Sequence, residues 1–120
     1  MPEINVGQLK VDSAPDGERF VMHMTGTAEL KDSTPLAELL LKADGEVRAL
    51  GLTQVDVDVR AVEFMNSSAL NAFVRWFAGM KERGGGYTVR FLSDPSKRWQ
   101  RSSLNALATF ATGTVTVVTQ

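Results

Sequence analysis

Three groups of residues have the types that chemistry would need: a lone histidine, a pair of strand carboxylates and a pair of hydroxyls. His23 is the only histidine, set in the run Phe20-Val21-Met22-His23-Met24. To activate a serine it would have to lie beside Ser67 with a third group orienting it, and no serine here stands in a G-x-S-x-G elbow. It reads as a sheet histidine bonded to local neighbours. Asp56 and Asp58 are two residues apart, so a strand points both to one face, where they could share a cation. No further ligand clusters with them, and Arg60 and Arg90 offer simple charge compensation, which favours a solvated sheet face. Ser67 and Ser68 follow Asn66 directly before the helical stripe Leu70, Phe73, Val74, Phe77. Asn or Ser there can cap a helix by accepting an orphan backbone N–H, so these hydroxyls are either caps or a site.

The remaining candidates are weaker. Gly84-Gly85-Gly86 lacks the Lys-Ser/Thr of a phosphate-cradling loop and follows a helix instead of opening one, so it reads as a C-cap and turn. Lys97, Arg98 and Arg101 gather at a helix start, the wrong end for the macrodipole, and could meet an anionic partner or serve solubility. With no cysteine in the chain, disulfides, thiolate chemistry and Cys-ligated metal are excluded. No nucleophile–base pair or metal set emerges, so the expectation is a protein that is not an enzyme and carries no cofactor.

These residues need elements to hold them. Residues 4–12 are a strand candidate and Ala14-Pro15-Asp16-Gly17 a turn, giving an N-terminal hairpin with Phe20 to Thr25. Ser33-Thr34-Pro35 opens the first helix, with Thr34 as cap, and its stripe Leu36, Leu39, Leu40, Ala43, Val47 survives the Asp44-Gly45 interruption. Val55, Val57 and Val59 alternate with Asp56, Asp58 and Arg60 as a strand. The corner and its helix follow, with Trp76 at the stripe's edge near Ala69, Ala72 and Gly79, a large aromatic among small residues and so a candidate docking surface. Tyr87 to Phe91 is the next strand, 96–111 a third helix, and Thr114 to Thr119 a last strand. Strands alternating with helices predict βαβ crossovers and a mostly parallel mixed sheet in one domain, residues 1–120. Because the strands alternate polar with apolar, where a fully sandwiched parallel strand is apolar on both sides, the helices should gather mainly on one face.

Composition sets the outer bounds. With 13 basic against 14 acidic residues the net charge is −1, which gives no general attraction to nucleic acid or membrane. No apolar run approaches membrane-span length and the N-terminus has no basic, apolar leader pattern, so the expected location is cytoplasmic.

The stretch Val55-Asp56-Val57-Asp58-Val59 through Asn66-Ser67-Ser68-Ala69 and the helix to Gly84-Gly85-Gly86 resembles the core of STAS domains, the module of anti-sigma-factor antagonists and related bacterial regulators. The likeness spans about residues 4–118, with Asn-Ser-Ser-Ala in place of the usual Asp-Ser-Ser-Gly. It implies a signalling protein that binds a serine kinase, an anti-sigma factor or a cyclase-type effector through 66–69 and the adjacent helix, with Asn66, Ser67, Ser68, Ala69, Ala72 and Trp76 at the contact. It also implies Ser67 as a phosphorylation site, with Ser68 second, and leaves a homodimer open. Nucleotide or small-ligand binding, and a constitutive scaffold in which Ser67 only caps, are the alternatives.

Overall fold

Alternating Val and Asp over 55–59 form a strand with one apolar and one polar face. The polar face is not the solvated one expected there: Asp56 and Asp58 are buried beneath the arginines that pair with them. A computed structural model describes residues 3–119. The order is β1 (Glu3–Val6), β2 (Leu9–Asp16), β3 (Arg19–Ala28), α1 (Thr34–Ala49), β4 (Gln54–Met65), α2 (Ser67–Glu82), β5 (Thr88–Ser93), α3 (Arg98–Phe110) and β6 (Val115–Thr119). The six strands stand in the sheet in chain order. β1, β2 and β3 are antiparallel neighbours, whereas β3, β4, β5 and β6 run parallel.

That order explains where the helices lie. Each parallel pair is joined by a crossover, crossovers are right-handed, and all three step the same way across the sheet. They therefore deposit α1, α2 and α3 on one face. Met22, Val57 and Phe91 share that face in register and are buried, and Phe73 and Phe77 of α2 meet Phe91 edge-on at ring-centroid distances of 5.5 and 6.1 Å. The opposite face holds Asp12, His23, Asp56, Asp58, Arg90 and Thr116 and has no helix over it among the described residues.

Three local expectations change. The 4–12 segment is two strands, broken where Gly7 takes φ +62°. The turn sits at Gly17-Glu18, and Ala14-Pro15 belong to β2 opposite Val21 and Phe20. Among the described residues β1 reaches only as far as Asp12, so no strand pairs with Pro15 on that side and its missing N–H is tolerated. The cap of α1 is Ser33, with Thr34 already helical and its N–H donating to Asp32 Oδ1 at 3.0 Å. As expected, α1 continues through Asp44-Gly45 as one helix.

Candidate functional site

The corner between β4 and α2 is built by Asn66. Its backbone is extended, and its side-chain oxygen accepts the Ala69 N–H at 3.0 Å. Its amide donates to Leu30 O at 2.8 Å, while its own N–H donates to Ala28 O at 3.0 Å. One side chain thus caps the helix and ties it to the loop after β3. Capping needs nothing from the serines. Ser67 is exposed and Ser68 half-buried, and among the described residues the Ser67 hydroxyl has no hydrogen-bond partner. The corner lies beyond the carboxyl end of a parallel strand, where open α/β sheets receive ligands and partners.

The rest of the predicted docking surface is not there. Ala69, Ala72 and Trp76 are buried, because they fall on the side of α2 that faces α1 and the sheet. Trp76 is a core residue whose indole N–H donates to Tyr87 Oη at 2.7 Å. The half-buried members of the stripe are Leu70 and Val74, expected in the core, which line a groove of about 350 Å³ against α3 with Ala106 and Phe110. The apolar arc is therefore rotated about one residue from the one read in the sequence, since both α1 and the sheet demand apolar contact.

On the open sheet face the charges answer one another. Asp56 accepts from Arg90 at 2.8 Å, Arg19 at 2.9 Å and Gln54 at 2.9 Å. Burial pushes its carboxyl up, but the hydrogen bonds from Arg90 and Gln54 and the nearby guanidinium charges together hold it below the usual carboxylate range. Asp58 is held low chiefly by Arg60, which donates at 2.8 Å, and His23 Nδ1 lies 3.2 Å from it. Both carboxylates favour the fold above their unfolded pKa, and that contribution disappears as pH falls through their lowered folded values. Among the described residues no group of acidic and imidazole side chains has metal-binding geometry.

One cluster escaped the sequence reading. Asp44, 4% exposed, accepts from Arg83 at 2.9 Å, from Arg48 at 3.2 Å and from the Tyr87 hydroxyl. Arg48 lies 5.6 Å over the Tyr87 ring and donates to Gly85 O at 2.9 Å. The signal was available: Asp44 sits within the buried arc Leu40, Ala43, Val47, where a lone acid demands partners. The cluster clamps α1, α2 and β5 at the end of the sheet away from the corner. Burial first, and then the Asp44 hydrogen bond, push the Tyr87 hydroxyl well above its usual value. The unfolded tyrosine ionises near pH ~10, so above that pH the unfolded chain has released a proton that the folded one retains. Stability is fully present below that point and falls as pH rises. The melting-temperature gap between wild type and Tyr87→Phe should narrow from pH 8 to pH 11; a constant gap would refute the assignment.

No family model and no curated protein matches the sequence. Solved structures do. Over 100% of both chains, with a TM-score of 0.71 and 14% identity, the molecule is similar to the activator in the crystal structure of the diguanylate cyclase SiaD in complex with its activator SiaC from Pseudomonas aeruginosa. It is also similar to an anti-sigma factor antagonist from Mycobacterium paratuberculosis, with a TM-score of 0.60, 16% identity, and 84% of this chain and 80% of that one covered. The chain has a STAS-like fold. At such identities the architecture is what is shared. In this STAS-like fold the Asn66 cap, the exposed Ser67 and the clamp at Asp44 are features of the chain's own residues.

Proposed function

We propose that the protein is a non-enzymatic regulator that docks a protein partner at the β4–α2 corner and is switched by phosphorylation of Ser67. The observation that carries this reading is the division of labour at the corner. Asn66 supplies the cap, so the neighbouring hydroxyl is exposed and has no structural duty. A phosphate there would add about −1.5 to −2 charges beside the positive end of α2, which tolerates them. The scaffold would stay folded while its docking surface gained negative charge. The two solved structures with this architecture, a cyclase activator and an anti-sigma factor antagonist, are both regulators by their descriptions and support a protein-binding role.

The contact surface in this reading is Ser67, the accessible flank of Ser68 and the outward face of α2 beside Leu70 and Val74. The partner class is a serine kinase, an anti-sigma-like protein or a cyclase-type effector. Intact-mass measurement on protein purified from its source tests the switch. A fraction heavier by one phosphate, lost in Ser67→Ala and retained in Ser68→Ala, supports it. Unmodified protein under every growth condition leaves a constitutive scaffold as the better reading.

A further inference from the structure

We infer that two copies of the chain join through the free edges of β6, in a two-fold dimer that extends the sheet and keeps every helix on one side. β6 is an outermost strand and, among the described residues, pairs only with β5. One row of its N–H and C=O groups therefore faces outward, ready to pair with another strand. Edge strands are ordinarily guarded by lysine, proline or a bulge, and Val115–Thr119 is β-branched throughout with none of these. The other edge, β1, is only four residues long.

Charge distribution singles out the same edge. All 13 basic and 14 acidic side chains fall at or before Arg101, and residues 102–120 carry none. A two-fold contact sets a surface against itself, so any charge near its centre meets its own like. β6 and α3 beyond Arg101 form the charge-free part of that contact, the composition that tolerates self-contact, and interface centres in general are depleted of charge.

The helix layer fits as well. α3 rests over β5 and β6. Across a two-fold perpendicular to the sheet, with strands about 4.8 Å apart, a helix above the β5–β6 gap stands about 10 Å from its copy, the separation at which helices pack. On α3, Ser103, Ala106 and Phe110 turn towards α2. By helical spacing Asn105 and Ala108 fall on the opposite flank, and both are small enough for that approach. The two α3 helices would run antiparallel, bringing Arg98 and Arg101 of each towards the last turn of the other. In its own helix this pair sits at the positive end with no acid in the first turn, and the last turn has no base. Pairing turns that mismatch into a favourable one, with cations beside C-terminal carbonyls.

A strand edge about 17 Å long and two layers about 20 Å deep bury roughly 700 Å² in total, below the standard size for a stable complex. The dimer is accordingly weak and concentration-dependent. It does not depend on the reading of Ser67, and since that corner lies on β4, two strands inward, both corners remain open for a two-site partner.

Sedimentation velocity on the full chain from about 10 μM to about 1 mM tests the proposal. Wild type should pass from monomer to dimer. Thr116→Lys and Asn105→Glu, both at exposed positions, should each weaken association at least tenfold with unchanged circular dichroism and melting temperature, whereas Thr116→Val should retain it. Wild type that remains monomeric throughout overturns the inference, and so does a dimer that both charged variants leave intact.

Discussion

Replacing Asp44 with alanine should destabilise the fold by about 3–5 kcal/mol, the largest loss expected of any single polar substitution in the chain. The carboxylate is buried and accepts from three donors on three elements: Arg48 on α1, Arg83 at the end of α2, and Tyr87 just before β5. Removing it leaves the Tyr87 hydroxyl without its acceptor and two guanidinium groups without a counter-charge. An unpaired buried donor costs about 1–3 kcal/mol and a stranded charge more. The arginines are part-exposed, and water recovers some of their share, which keeps the figure from rising further. For a chain of this length the loss corresponds to a fall in melting temperature of roughly 10–20 °C. Asp44→Asn, which keeps an acceptor but no charge, should lose roughly half as much. Urea denaturation of the three proteins decides the matter: an alanine variant within about 1 kcal/mol of wild type would mean that the clamp contributes little.

Ser67→Asp should do the reverse, leaving stability intact and weakening the proposed partner contact. An acid in the first turn of a helix is favoured by about 0.3–1 kcal/mol, and the side chain faces solvent, so the melting temperature should stay or rise slightly. Binding to the partner, once captured with wild-type bait, should weaken at least tenfold, about 1.4 kcal/mol, because a charge must be desolvated or repelled at the contact. Ser67→Ala should bind as wild type does, since the hydroxyl caps nothing. Titration of the captured partner against the three baits by calorimetry reads this directly. Equal affinity for all three would end the proposal that this corner is the contact.

The contrast between these two sites also marks how far the sequence could be read. Alternation over 55–59, the corner Asn66-Ser67-Ser68, the breaks at Pro35 and Gly84-Gly85-Gly86 and the run of crossovers determined the strands, the helices, a mostly parallel sheet and the gathering of helices on one face, while Pro15, read as part of a turn, lies within β2. Each of those is local: periodicity of 2 or 3.6, a cap, or the handedness of a crossover. The same locality marked Asn66-Ser67-Ser68 as a helix start, but that Asn66 alone supplies the cap and leaves the Ser67 hydroxyl exposed came from the structure.

What the tertiary structure alone decided is which side of each element meets which neighbour. Trp76, Ala72 and Ala69 looked like a surface because a helical wheel has one apolar arc, yet α2 is pressed by both the sheet and α1, and its buried arc widens and turns to include them. Asp44, read as an interruption, became the centre of a clamp because Arg83 and Tyr87, 39 and 43 residues away in sequence, arrive beside it. Such long-range partners leave no period in the chain. The sequence by itself therefore determined the elements, their order and the place of the corner, through spacing and local hydrogen bonding; which side chains around that corner are buried and which accessible was decided only when the helices packed.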